Sequence, residues 1–410
     1  MKTKAVFSMF VILMSSATAF ASDSPHFRGL NRDGVYPESG LLKSWPDDGP
    51  AVAWSAKGIG EGYSSPSIVG DTIYVSGQRE DGQGVLNLLN LDGTPKGAIP
   101  YGPETKERQA TGPRSTPTID GDRAYVMSGF GVVTCFDLKK GEVSWQIDVM
   151  KRFGSEVVKW SMAESLYVDD KLVYCSPGAE DASIVALDKS TGDTVWTSKG
   201  LSDQNGYCTP DIIEHNGRKI LLSMTAFNVV GIDPENGTLL WQHPHPTDYD
   251  IHAVTPVYAD GMIYYVGGYE SGGGMLELSE DGSSITPKWT DLTLESLHHG
   301  VVLIDGYIYG AAHSHGLMVC LELKTGKVMW KTEEIQEAAV VAADGMIYLY
   351  EGPKKGVVNL VEATPEGFNR TGQFEFTEGG GKHWAHPTIA NGRMYIRHGD
   401  ALVAYNVKAE

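Results

Sequence analysis

Apolar residues recur along this chain in short, closely spaced runs bounded by Gly, Asp, Asn and Pro, not at the 3.6-residue spacing of a helix. The stretch from Ser115 to Ile147 shows the unit. Ser115-Thr-Pro-Thr-Ile119 reads as a first strand. Its Pro117 lacks an N–H, so it fits only where a strand begins or has no neighbour on that side. Asp120-Gly-Asp122 is a hairpin turn. Ala124-Tyr-Val-Met127 reads as a second strand, Val132 to Asp137 as a third, and Val143-Ser-Trp-Gln-Ile147 as a fourth. Four short antiparallel strands in succession make one blade of a propeller.

The unit repeats. Ala186, Asp188, Thr191, Gly192 and Trp196 form a frame that returns as Cys135, Asp137, Gly141, Trp145; as Gly231, Asp233, Gly237, Trp241; and as Cys320, Glu322, Thr325, Gly326, Trp330. Self-similarity at a period of about 40–52 residues signals a repeat architecture. Inner strands are predicted to begin near Tyr63, Arg114, Ala163, Tyr207, Ala253, His298, Glu337 and Trp384. Second strands are marked by Tyr74, Tyr125, Tyr174, Leu221, Tyr264, Tyr309, Tyr348 and Tyr395. The last repeat stops after its third strand, Ala401 to Asn406, and Ala51-Val-Ala-Trp54 is available as its fourth. The prediction is an all-β, eight-bladed propeller of four-stranded antiparallel blades, its ring closed by an N-terminal strand so that no sheet edge is left bare. The recurrent Trp is a scaffold residue that fills the wedge between neighbouring blades.

The frame resembles the tryptophan-docking motif of the pyrroloquinoline-quinone (PQQ) repeat family. Ala186 to Trp196 fits it at every fixed position, and Phe27-Arg-Gly-Leu-Asn-Arg-Asp-Gly34 is similar to the opening of many exported PQQ-like propellers. The resemblance implies two kinds of function. Quinoprotein alcohol dehydrogenases hold PQQ and calcium in the central funnel and usually carry an adjacent Cys pair, which this chain lacks. The propeller lipoprotein of the outer-membrane barrel assembly machinery is a noncatalytic scaffold with an envelope protein partner. A fold alone does not choose between them.

Residues 1–21 read as an export leader. Lys2 and Lys4 precede the apolar run Ala5 to Met14, and Ala19-Phe20-Ala21 is a small-x-small cleavage site before Ser22. The run is too short to span a bilayer. The expectation is an exported protein, periplasmic or extracellular, whose residues 22–410 form a single propeller without a transmembrane segment. Net charge is −19, a surface that repels nucleic acid. Of the four cysteines, Cys135 and Cys320 occupy the small slot of the frame, whereas Cys175 and Cys208, in consecutive repeats, are candidates for a disulfide.

Chemistry concentrates at one end. In a propeller the starts of the inner strands converge on one mouth of the channel. Seven of the 12 histidines (252, 298, 299, 313, 315, 383 and 386) fall at that predicted mouth. His298, His299, His386, Arg114 and Glu164 are the candidate catalytic residues. Neutral imidazole serves as a general base near physiological pH, and Arg114 would hold a carboxylate. Tyr63, Trp160, Tyr207, His252, Glu337, His383 and Trp384 are the candidate ligand-binding residues, with Trp160 and Trp384 able to stack on a sugar ring. Tyr269, His313 and His315 come from loops on the same face. His298 and His386 are candidate ligands for a divalent metal. The cofactor question, metal or PQQ, stays open at this point. The function expected is a His-rich funnel that binds, and acts on, a carbohydrate or small anionic ligand. The alternatives are a protein-interaction scaffold and a PQQ-dependent dehydrogenase.

Overall fold

The computed structural model describes residues 23–107 and 110–409. The leader therefore lies outside the described residues. Among the described residues the chain forms eight blades, each with four antiparallel strands; the seventh carries Val35–Tyr36 as a fifth, parallel strand, and Lys106–Glu107 pairs with Ala110–Thr111 as a separate two-stranded ribbon. In the second repeat the strands are Thr118–Asp120, Arg123–Met127, Val132–Asp137 and Glu142–Asp148, close to their predicted positions. The eighth sheet is completed as expected. Val52–Lys57 pairs antiparallel with Ala401–Asn406, whose own sheet begins at Thr388–Ala390.

The docking frame has a visible cause. Its small residue lies directly across the strand pair from its Trp: Cys135 opposite Trp145, Ala186 opposite Trp196, Gly231 opposite Trp241, Cys320 opposite Trp330. At Gly231 a methyl group would meet the Trp241 ring at 2.2 Å. The indole then reaches the next blade. Trp145 Nε1–H donates to Lys189 O and Trp196 Nε1–H to Pro234 O, at 3.2 and 2.9 Å. The turn glycine of that next blade lies against the same ring, so that a Cβ on Gly192 would sit 2.8 Å from Trp145. One motif thus sets strand pairing within a blade and packing between blades.

All four cysteines are buried and free, so Cys175 and Cys208 do not pair. Among the described residues no helix is long and apolar enough to cross a membrane.

The centre of the ring is filled by the segment from Asp23 to Gly34. Ser24 exchanges backbone hydrogen bonds with Ile68 of the first blade, and Pro25 O accepts from Ile119 N of the second. Arg28 is 5% exposed and donates to Val340 O, Val301 O and Asp33 O. Arg32 lies 4.5 Å over the Tyr167 ring of the third blade. Gly34 O accepts from Ala342 N, and Val35–Tyr36 then pairs in parallel with the seventh inner strand. No part of this segment repeats, yet it ties together most of the ring.

Candidate functional site

Above that plug, a cavity of about 360 Å³ opens at the predicted mouth. Tyr63, Arg114, Trp160, Tyr207, His298, Glu337, Trp384 and His386 all line it. These are eight of the predicted site residues, drawn from seven different repeats. Tyr269 and His313 line it as well. His315 does not; it lies in a shallow depression with Leu292 and Lys331.

Four predicted residues are placed elsewhere. Glu164, His252 and His299 are at most 2% exposed, and His383 is 8% exposed; none of them lines the cavity. In the loops before the inner strands, adjacent side chains take opposite sides. Ala163, Ala253, His298 and Trp384 face the cavity, so their neighbours Glu164, His252, His299 and His383 point into the packing between blades. His252 stacks near His245, with ring centroids 5.4 Å apart, and His383 stacks on His398 at 3.8 Å. His299 lies behind His298, their rings 4.2 Å apart.

The walls are aromatic. Tyr63 and Trp384 pack at 5.5 Å, and His298 meets the Trp384 ring edge-on at 5.1 Å. Across the cavity, Tyr207 OH accepts from the Trp160 backbone N–H at 3.3 Å. The indole N–H groups of Trp160 and Trp384 are buried and have no hydrogen-bond partner among the described residues. The floor is Phe27 from the plug, edge-on to His386 at 5.0 Å. Phe27 and Lys382 line the cavity too and were not among the predicted residues. Lys382 Nζ sits 4.1 Å over the Trp384 ring.

The histidines divide by environment. His386 cannot act as a base or a metal ligand: Nδ1 faces Arg28 Nη1 at 3.3 Å, and Nε2 lies 3.0 Å from His298 O. The guanidinium only donates and the carbonyl only accepts, so the ring is neutral with its proton on Nε2. Burial, reinforced by Arg28, holds it down to about 3. Burial likewise brings His298 down to about 4. His313 behaves oppositely. Burial works against its charge, but Glu337 outweighs that and raises it. Nδ1 lies 2.8 Å from Glu337 Oε1, a close charge contact rather than an aligned hydrogen bond. Thus the cavity holds one readily protonated imidazole, His313, beside Glu337, and neutral ones elsewhere.

The expected pairing of His298 with His386 around a metal is not formed, because His386 is fully engaged. Among the described residues no group of three or more His, Cys, Asp or Glu side chains is placed to hold a metal ion. The quinone cofactor and its cation meet the same obstacle. The donor set for the cation is missing from the cavity wall, and no two cysteines adjoin in the sequence. The residues present do not fit that pair.

Backbone strain marks the same place. Among the described residues, thirteen non-glycine residues have positive φ. Five are the Asn or Asp of tight Asx–Gly hairpin turns, such as Asn216 and Asp260, where this conformation is expected. Arg28 and Arg32 are in the plug. The remaining six, Ser161, Tyr207, Tyr249, Asp250, Tyr269 and Glu270, are on the loops around the cavity. For bulky side chains this conformation costs about 1–3 kcal/mol each and is concentrated at functional sites.

Buried Glu164 serves as an internal probe of the blades. Oε1 accepts from Ser176 N–H at 2.8 Å, while Oε2 has no partner among the described residues. Burial pushes its carboxyl up to about 7. A raised carboxylate pKa means that the folded state keeps a proton the unfolded state has lost, so stability declines as pH rises from about 4.5 to 7. Glu164→Gln is expected to be more stable than the wild type by about 2 kcal/mol at pH 8 and to gain nothing at pH 4.5. Urea unfolding at both pH values checks this; an equal gain at both contradicts it.

These features define the class: an eight-bladed propeller of the PQQ-repeat type. Residues 100–332 match the family described as outer membrane protein assembly factor BamB, and the chain belongs to that family. A quinoprotein alcohol dehydrogenase, PedH, of Pseudomonas putida is 33% identical over 190 residues, 43% of this chain and 30% of that protein. A BamB of Kangiella koreensis is 33% identical over 87 residues, 21% of this chain and 19% of its own. The stretches matched thus span under a third of these relatives. Among solved structures, BamB from Moraxella catarrhalis superposes with a TM-score of 0.63 at 14% identity, covering 87% of this chain and 99% of that one. Quinohemoprotein alcohol dehydrogenase from Comamonas testosteroni gives 0.66 at 11% identity, covering 95% and 81%. At such identities the likeness is one of fold.

Proposed function

We infer that this protein binds a small carbohydrate-derived acid in the central cavity, outside the cytoplasm. The observation that carries the reading is the aromatic wall of the cavity, Tyr63, Trp160, Tyr207, Tyr269 and Trp384, with Arg114 and Lys382 set into it. A sugar ring offers hydroxyl acceptors at its edge and C–H faces for the aromatic rings. Arg114 and Lys382 supply positive charge in a molecule whose net charge is −19, which favours a carboxylate at the cavity. His313, held beside Glu337, is the group best placed to exchange a proton with such a ligand.

A thermal-shift and calorimetric series with glucuronate, galacturonate, glucose and phosphate tests this. A uronate is expected to raise the melting temperature and glucose to do so far less, because only a ligand that favours the native state stabilises it. Trp384→Leu and Arg114→Met should each abolish the shift. No response to either uronate, or a response unchanged in both variants, would overturn the reading. Membership of the assembly-factor family supports a second reading, an envelope protein-interaction scaffold. That reading expects partner capture from envelope extracts to survive Trp384→Leu. Export itself is supported by the same membership.

A further inference from the structure

We propose that the cavity receives the end of an oligosaccharide whose terminal unit is acidic, and that the next, neutral unit lies on the exposed Trp160–Tyr249 rim. This rests on the reading of the cavity as a sugar-acid site and adds what surrounds that acid.

The cavity is blind. Phe27 forms its floor, and beneath it Arg28 is hydrogen-bonded to carbonyls of the sixth and seventh inner strands. The backbone on the other side is pinned to Ile68 and Ile119. A polymer cannot thread through the ring, so only a chain end enters. At about 360 Å³ the cavity lies at the small end of ligand sites, about 300–1,000 Å³, with room for roughly one or two sugar rings. The rest of a longer ligand must leave by the mouth.

An aromatic track continues outward from there. Lys159 Nζ lies 4.9 Å from the Trp160 ring and 5.3 Å from that of Tyr249. Tyr249 packs edge-on against Tyr269 at 5.1 Å, and Tyr269 against His313 at 5.2 Å. Tyr249 is 59% exposed, unusual for a ring built into a cluster. Both tyrosines have positive φ, and each is followed by an acid in the same conformation, Asp250 and Glu270. Two neighbouring loops thus hold the same aromatic–acid pair in a conformation that large side chains avoid. Rings offer a face for a sugar, and carboxylates accept from its hydroxyls. Asp250 and Glu270 carry two negative charges there against the single ammonium of Lys159, and this net negative balance disfavours a second anionic unit, which places the charge on the terminal unit.

Calorimetry compares glucuronate, a glucuronosyl-glucose disaccharide and a trisaccharide in which the uronate is internal. The disaccharide is expected to bind about tenfold more tightly than glucuronate, and the trisaccharide at least tenfold more weakly than the disaccharide. Tyr249→Asn, which keeps a residue tolerant of positive φ, should bring the disaccharide to the affinity of glucuronate and leave glucuronate itself unchanged. Equal affinities for mono- and disaccharide, unchanged disaccharide binding in Tyr249→Asn, or tight binding of the internal uronate would each overturn the proposal while leaving the cavity reading intact. Failure of glucuronate and of both oligomers to bind would remove that reading and this proposal together.

Discussion

Replacing Arg397 with Met is expected to cost about 4 kcal/mol, more than most single changes at any other position of the ring. Arg397 is 1% exposed and sits on the second strand of the blade that closes the circle. It donates Nε–H to Gly399 O at 3.0 Å and Nη2–H to Gly60 O at 2.9 Å. Its Nη1 reaches Ser64 O at 3.2 Å and Ser76 O at 2.6 Å. Three of these four acceptors belong to the opposite side of the closure, in and before the first blade. No carboxylate shares the bond set. The charge is held by carbonyl dipoles, and burial lowers the guanidinium to about 10. Met fills similar volume but takes the donor from the Gly399, Gly60 and Ser64 carbonyls, at about 1–3 kcal/mol for each left unpaired, while Ser76 O keeps the Ser64 hydroxyl. Arg397→Lys should be no better, because an ammonium keeps the buried charge without the planar fork. Equilibrium unfolding in urea measures both. A loss below about 1 kcal/mol in the Met variant would show that the carbonyls find other donors and that the closure depends on strand pairing alone.

The ring was legible in the sequence because its packing rule is written into each repeat. A small residue across from a Trp, then a turn glycine under the Trp of the preceding blade, are contacts that only a radial stack of sheets satisfies. The inner strands start later than predicted. Pro66, Pro117, Pro210, Pro256 and Pro387 stand just before the observed first residues Ser67, Thr118, Asp211, Val257 and Thr388. A residue without an N–H cannot join the ladder, so the loops that line the cavity extend up to that proline.

Alternation explains the site residues that went astray. His298 and His299, or His383 and Trp384, are adjacent residues in the loops that precede the inner strands, and only one of each pair faces the cavity. Counting histidines near the mouth was not enough; the side of the loop that each ring takes decided the outcome. The central plug was not legible in this way. Residues 23–34 have no counterpart in the other repeats, and nothing periodic places Phe27 beneath the cavity or Arg28 against His386. Lys382 escaped for a related reason: it belongs to a glycine-rich loop, and its position over Trp384 is set by tertiary packing.

Acid is expected to unfold this protein well above the pH at which carboxylates alone would do so. Seven of the described histidines are less than a tenth exposed, among them His245, His252, His299, His383 and His386. Burial lowers these five: His245, His252 and His383 to about 4, His386 to about 3, and His299 well below its ordinary value. Each has a folded pKa below its unfolded value near 6.5. Between those values the unfolded chain binds protons that the folded chain refuses, so stability is intact above about pH 6.5 and falls as pH drops toward 4. At pH 5 one such histidine withdraws about 2 kcal/mol. A few together match the entire stability of an ordinary protein, about 5–15 kcal/mol. His313, Glu164, Glu104, Asp33 and Asp211 act in the opposite sense, since their folded pKa values are raised, but burial lowers His26, His243 and His298 as well, so the lowered histidines outnumber them. The urea midpoint should therefore be nearly constant from pH 8 to 7 and collapse between pH 6 and 5. Replacing His252 with Gln, which has no group to titrate, should soften that fall by about 2 kcal/mol at pH 5 relative to pH 7.5. A midpoint that stays level down to pH 4.5 would mean that the rings between the blades accept protons as readily as free histidine, and that the packing around them is looser than their burial implies.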